Sequence, residues 1–161
     1  MRRLAIPADL DRVFDIHMHE AVMPFLGFDP MPHEAFSRVF DPLFESGCFY
    51  VFEVEGRVQG FYQVQRYLGH AAHVAHLGTL AVAPEAHGTG VAAAMMEDAL
   101  SRLRRAGVTR VELAVAADNP RAIAFYERFG FAHEGTQRAA CKRAFDEAYV
   151  DARMYGLLLS E

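Results

Sequence analysis

Two glycines one residue apart, Gly88 and Gly90 in LAVAPEAHGTGVAAAMMEDAL (residues 80–100), set the first constraint on the fold. Glycine is a poor helix former and loses more backbone entropy on folding than any other residue, so a pair at a helix mouth needs a structural reason. The residues before the pair, from about His73 to Val82, read as a strand. Those after it carry Ala92, Met95, Met96, Ala99, Leu100 and Leu103 on one helical face, with a basic last turn and Gly107 as a stop. VTRVELAV then alternates as a strand through Val111, Leu113 and Val115. Strand, glycine turn, helix and strand together imply a parallel pair joined by a crossover helix.

The flanking regions imply antiparallel pairing, so the sheet is expected to be mixed. RLAI reads as a short first strand, and Pro7 to about His19 as a helix with Leu10, Val13, Phe14 and Met18 on one face. FLGFDPMP breaks that helix. A second helix runs through Ala35, Phe36, Val39 and Phe40, and Pro42 is expected to end or kink it. CFYVFEVEGRVQGFYQVQRY reads as a hairpin turning at Glu55-Gly56. Asn119 as N-cap and Pro120 at the first helical position start a short helix that Gly130 ends. FAHEGTQ and YVDARMYGLLL complete the order as two terminal strands.

At 161 residues, with no repeat or linker, the chain is expected to be a single domain over 1–161. A net charge of −5 argues against a nucleic-acid partner, which would ask for a basic patch. The N-terminal arginines precede no apolar segment of the kind that directs secretion, and no apolar run is long enough to cross a bilayer. Cys48 and Cys141 lack metal-ligand spacing and read as free thiols in a cytoplasmic protein. Thirteen Phe and no Trp point to a core and a pocket rich in benzyl groups.

A glycine turn between a strand and a helix places unpaired backbone N–H groups at the positive end of a helix dipole, a ready anion site. The segment lacks the Lys-Ser/Thr ending of a nucleotide P-loop and the third glycine of the dinucleotide fingerprint, where Ala93 stands instead. On the glycines alone, a plain tight turn and a phosphate cradle explain the segment equally well.

LAVAPEAHGTGVAAAMM followed some thirty residues later by DNPRAIAFYERFGF resembles the GNAT superfamily of acyl-CoA N-acyltransferases, in order, spacing and placement on elements. The resemblance implies the GNAT fold, an α+β (mixed α/β) chain with a central twisted mixed sheet of about seven strands and helices on both faces. The expected order is β-α-α-β-β-β-α-β-α-β-β. It also implies acetyl-CoA as co-substrate, with no metal. By resemblance, the backbone of Leu80, Ala81 and Val82 meets pantetheine and the reacting carbonyl, and His87, Gly88, Thr89, Gly90, Val91 and Ala92 meet the pyrophosphate. Asn119 falls beside the pantetheine arm, although a simple N-cap explains it equally well. His87 stands where the family usually carries Arg or Gln; it is either a loop residue or an imidazole bonding a phosphate oxygen.

Transfer of an acetyl group to an amine needs a neutral amine, donors for the developing oxyanion and a proton for the leaving sulfur. Tyr126 aligns with the family tyrosine that protonates the leaving group, and a phenol is protonated at neutral pH; the alternative is a core tyrosine, since Ile123, Tyr126 and Phe129 fall on one helical stripe. His76 falls where relatives carry a carboxylate base, and either accepts the amine proton, directly or through water, or is a satisfied strand histidine. His70, His73 and His76 recur every three residues, but strand neighbours three apart point to opposite faces, which argues against a shared ion. The resemblance also implies an acceptor site between the first two helices and the last strands, where this chain offers Phe25, Phe28 and Tyr149. The tail resembles the bacterial branch that acetylates amino acids and phosphinothricin, which implies a small-molecule amine as partner. The alternatives are an acetyltransferase of peptide N-termini and a non-catalytic acyl-CoA-binding regulator. Homodimers are common in the resembling family, and neither a nucleic acid nor a membrane is expected as partner.

Overall fold

A computed structural model describes residues 1–159 and contains a seven-stranded sheet and four α-helices. The strands are β1 (Arg2–Leu4), β2 (Phe49–Val54), β3 (Arg57–Arg66), β4 (Val74–Val82), β5 (Arg110–Ala116), β6 (Ala132–Cys141) and β7 (Val150–Leu158). The helices are α1 (Leu10–His17), α2 (His33–Glu45), α3 (Val91–Arg105) and α4 (Pro120–Arg128). Across the sheet the order is β1-β2-β3-β4-β5-β7-β6, antiparallel throughout except for the parallel β4–β5 pair that α3 connects. The expected mixed sheet and element order are those observed. No described helix is long and apolar enough to cross a membrane.

Two helix boundaries differ from the sequence reading. Pro7–Asp9 form a separate 3-10 turn, and α1 begins only at Leu10. The Asp9 carboxylate accepts from the Ile6 backbone N–H (2.8 Å) and from Arg3, closing that turn as its own capped unit. Pro42 neither ends nor breaks α2, which continues to Glu45. Pro42 and Arg38 both lie on the exposed side, so the Arg38 carbonyl that loses its i+4 donor is open to water.

The hairpin turns where expected, with Glu55 (φ 52°) and Gly56 (φ 74°) both left-handed, as a tight two-residue turn requires. Phenylalanines dominate the core beneath α1 and α2. Phe14 meets Phe36 edge-on (5.3 Å), Phe40 meets Phe49 edge-on (5.8 Å), and Phe49 packs on Phe61 of β3 (5.4 Å). Phe61 also stacks on His17 of α1, whereas its neighbour Gly60 faces α3 on the opposite side of the sheet. Helices therefore cover both faces of β3.

Gly60 is what lets α3 approach. A Cβ there would stand 2.5 Å from Met95 Sδ and 2.8 Å from the Ala81 carbonyl oxygen, and the second of these is backbone that cannot swing aside. Gly60→Ala is therefore expected to destabilise the fold by about 1–3 kcal/mol, the ordinary cost of overpacking, read as a lower urea midpoint. An unchanged midpoint would mean that α3 shifts freely on the sheet.

Candidate active site

The site begins where β4 and β5 part. Their register holds only from Val74↔Arg110 to His76↔Glu112, although both strands continue, β4 to Val82 and β5 to Ala116. Beyond that point β4 bonds only to β3 and β5 only to β7. The outward-facing N–H and C=O groups of Leu77–Val82 thus lack a strand partner and, apart from the Val82 carbonyl that His87 meets, are open to whatever fills the gap.

An irregularity in β4 shapes the same place. Phe61 pairs with Ala81 but Gln63 pairs with Gly78, so Thr79 and Leu80 together oppose the single residue Tyr62. Thr79 takes a left-handed φ of 48°, uncommon for a β-branched residue. Such a bulge twists the strand and re-aims the backbone. Nothing in the string HLGTLAV signals it.

A cavity of about 540 Å³ fills the gap between the strands. Leu77, Thr79–Val82 and Ala114–Ala116 form its strand walls, and Asn119, Ala122, Phe125 and Tyr126 its α4 wall. At its mouth lie His87, Gly88 and Gly90, at the start of α3. Gly88 (φ 75°) and Gly90 (φ 89°) are both left-handed, and a Cβ on either would meet no atom within 4 Å. The two glycines are thus required first by backbone conformation, and they also leave the α3 N-terminus bare on its open side. Free N–H groups, a helix dipole and a bare concave backbone suit the phosphate end of a coenzyme A thioester. Ala92 lines this cavity; Thr89 and Val91 do not, and the Thr89 hydroxyl donates to the Ala86 carbonyl (2.6 Å).

Both ring nitrogens of His87 are engaged by protein. Nε2 lies 3.0 Å from the Val82 carbonyl oxygen and Nδ1 lies 3.3 Å from Arg121 Nη1. Asn119 caps α4, its Oδ1 accepting from the Ala122 N–H (3.2 Å), while also lining the cavity. The N-cap is thus observed, on a residue that also lines the cavity.

Tyr126 faces the cavity between Phe125 (5.5 Å, edge-on) and Phe131 (5.8 Å, edge-on). Burial alone pushes its phenol up to about 12, so the hydroxyl keeps its proton across the physiological range. His76 is half-buried on β4 and lines neither this cavity nor the next. Its ring lies over Gly78, on the strand face that leads to the bulge. Among the described residues no group of three His, Cys, Asp or Glu is placed to hold a metal.

A second cavity, about 380 Å³, adjoins the first and shares Phe25, Leu26, Thr79 and Ala114–Ala116 with it. Its own walls come from the α1–α2 connection (Phe28, Asp29) and the β6–β7 end (Gln137, Cys141, Lys142, Arg143). Phe25 lines both cavities and Phe28 the second. Tyr149 stands outside it, 68% exposed, with Lys142 Nζ 5.5 Å from its ring centre. Arg143 is a site residue that the sequence reading missed. Its Nε donates to Asp146 (2.7 Å), Nη1 to the Pro24 carbonyl (3.3 Å) and Nη2 to Asp118, while the next residue's N–H donates to Asp29 (2.9 Å). The guanidinium thereby ties together three segments distant in sequence, which only the fold brings into reach.

Comparison with known proteins agrees with this geometry. The family model for the acetyltransferase (GNAT) family matches residues 11–131. A mycothiol acetyltransferase of Arthrobacter sp. (strain FB24) is 32% identical over 94 residues, covering 57% of this chain and 28% of that protein. A mycothiol acetyltransferase of Beutenbergia cavernae is 50% identical over 52 residues, covering 32% of this chain and 18% of that protein. The chain thus spans less than a third of the length of these relatives. Spermidine N-acetyltransferase from Vibrio cholerae, solved with CoA and spermine, superimposes with a TM-score of 0.83 at 19% identity, over 99% of this chain and 95% of that one. Ribosomal-protein-alanine N-acetyltransferase from Brucella melitensis gives 0.79 at 20% identity, over 98% and 99%. At such identities the superpositions speak for the fold, and the family match runs from α1 through the glycine turn and α4 to Phe131, immediately before β6. A strand pair that parts around a cavity, a bulge beside it and a glycine-opened helix start at its mouth all fall within that match, and the chain belongs to the GNAT acetyltransferase family.

Proposed function

We propose that the chain is an acetyl-CoA-dependent N-acetyltransferase acting on the amine of a small molecule. The observation that carries this reading is the continuity of the two cavities at the Thr79 bulge. One leads to a bare helix N-terminus suited to phosphates, and the other ends among mixed charges and aromatic rings. A thioester threaded through the first compartment and an amine held in the second would meet where the β4 backbone has no strand partner.

Acetyl-CoA supplies an activated acyl group: the amine nitrogen forms a bond to the carbonyl carbon, the C–S bond breaks, and sulfur leaves as thiolate. The chain's part is to position, polarise and move protons. The unpaired N–H groups along Leu80–Val82 offer hydrogen bonds to the carbonyl oxygen as negative charge gathers there. Tyr126 donates its phenolic proton toward the leaving sulfur. His76, set back from both cavities, takes the amine proton through a water that reaches round Gly78.

Arg143 favours a small acceptor over a polypeptide. It pins the β6–β7 end onto the α1–α2 connection and Asp118, so the walls of the second cavity are held together before any substrate arrives.

The test is thiol release from acetyl-CoA against free amino acids and their analogues, polyamines, aminoglycosides and N-terminal peptides. Turnover is expected with a small amine and not with peptides. Turnover confined to peptides would overturn the small-molecule assignment. Silence across the panel, with acetyl-CoA still bound, would make the chain a non-catalytic acyl-CoA sensor.

A further inference from the structure

We infer that His87 is a positioning residue: as the neutral Nε2–H tautomer it holds the Arg121 guanidinium over the glycine turn as a charge partner for the phosphates of the acyl donor. The inference rests on the reading of the first cavity as an acyl-CoA site.

The tautomer follows from the chemistry of the two partners. The Val82 carbonyl oxygen, 3.0 Å from Nε2, can only accept, so Nε2 carries the hydrogen. The Arg121 guanidinium, whose Nη1 is 3.3 Å from Nδ1, can only donate, so Nδ1 presents its lone pair. A ring that donates on one side and accepts on the other is neutral. An imidazolium here would turn an N–H toward a guanidinium and lose the contact.

The pair also spans the cavity mouth. Val82 and His87 belong to the β4 end and the turn that follows it, whereas Arg121 lies in the first turn of α4, across the gap. Arg121 is otherwise an exposed side chain, and its only side-chain hydrogen bond among the described residues is the one to His87. A long exposed side chain normally samples many rotamers, and fixing one in advance removes that cost from ligand binding. In this chain the residue preceding Gly88 thus serves the phosphates at second hand, through an arginine on the other wall. The anion site gains a cation without placing one on the turn itself.

Calorimetric titration of acetyl-CoA into the intact protein at low salt tests this, with four variants and a salt series. Arg121→Gln is expected to weaken Kd about tenfold, the size of one charge-assisted contact, and to flatten its dependence on salt. His87→Leu, which cannot bond Arg121, is expected to reproduce both effects. The double variant H87L/R121Q should be no weaker than R121Q alone, because the two residues act as one device. His87→Gln should restore wild-type affinity and salt slope, since an amide can donate to Val82 and accept from Arg121 at once. A merely structural His87 would lower the melting temperature in H87L and leave the salt slope in place. Additive losses in the double variant, or an H87L protein with wild-type affinity and slope, would overturn the inference. If H87L fails to fold, a weakened H87Q against a folded R121Q overturns it equally. No binding of acetyl-CoA by the wild type would instead strike the cofactor reading itself, and this inference with it.

Discussion

Removing one oxygen atom from Tyr126 is expected to lower kcat by about 10²–10³-fold while leaving the affinity for acetyl-CoA within about twofold. Tyr126→Phe keeps the ring that packs between Phe125 and Phe131, so the cavity wall survives. What it deletes is the hydroxyl of this cavity-lining residue, and with it the proton that the proposed mechanism sends to the departing sulfur. Burial holds that phenol near 12, so it remains protonated at any pH where the enzyme is assayed. Consequently the wild-type rate should show no fall attributable to loss of this acid between pH 7 and 10. A phenol is a weaker acid than a thiol at its ordinary pKa of about 8.5, so in the proposed mechanism its contribution would come from placement beside the sulfur rather than from acid strength. Steady-state kinetics of the two proteins decide the matter. Equal kcat values would reduce Tyr126 to a wall of the pantetheine channel, and a loss confined to KM would assign it to binding.

Much of this arrangement is written locally in the chain. The alternation of VTRVELAV, the Asn119-Pro120 start and the Glu55-Gly56 turn each specify a structure through neighbours in sequence, and each element formed where they place it. The glycine pair was legible for the same reason, since a left-handed backbone at Gly88 and Gly90 is a local demand. Pro42 does not end α2 because the cost of an interior proline depends on its surroundings, and both Pro42 and Arg38 are exposed, which is a property of the surface and not of the string.

The finer parts of the site depend on meetings that no window of sequence contains. Thr79 becomes left-handed because β4 must slip by one residue against β3, and threonine carries no mark of that. His87 meets Arg121 across 34 positions, and Arg143 reaches the Pro24 carbonyl across 119. The stretch KRAFDEA shows a basic residue with Asp146 three places on, so their ion pair was readable; the contacts to Pro24 and Asp118 were not. Tyr149 illustrates the converse, since proximity in sequence to the last strand placed it near the acceptor side but not in the cavity wall.

The second large effect concerns stability and originates in α1. His17 is 2% exposed, its Nδ1 has no hydrogen-bond partner, and aromatic rings surround it: Phe36 edge-on at 5.1 Å, Phe28 tilted at 6.0 Å and Phe61 stacked at 6.0 Å. Burial drops its pKa from 6.5 to about 4. Above the unfolded value of 6.5 both states carry a neutral ring and the residue is silent in pH dependence. Below it the unfolded chain takes up a proton that the folded chain refuses, so stability falls by about 1.4 kcal/mol per pH unit until the folded value near 4 is passed. The full loss is about 3 kcal/mol, a large part of the margin of a domain this size. His17→Phe abolishes the proton uptake at this position. Between pH 7 and 5 wild type should therefore lose about 2 kcal/mol more than the variant in urea unfolding, the carboxylates titrating alike in both. Identical slopes would mean that water or a partner reaches the ring in solution. Phe28 gives the effect a functional edge, because it touches the His17 ring and also lines the second cavity. Charging His17 in the folded chain would loosen the packing under that wall, so acceptor KM should show no His17-linked rise between pH 6.5 and 5 and should rise only as pH nears 4, and less so in His17→Phe.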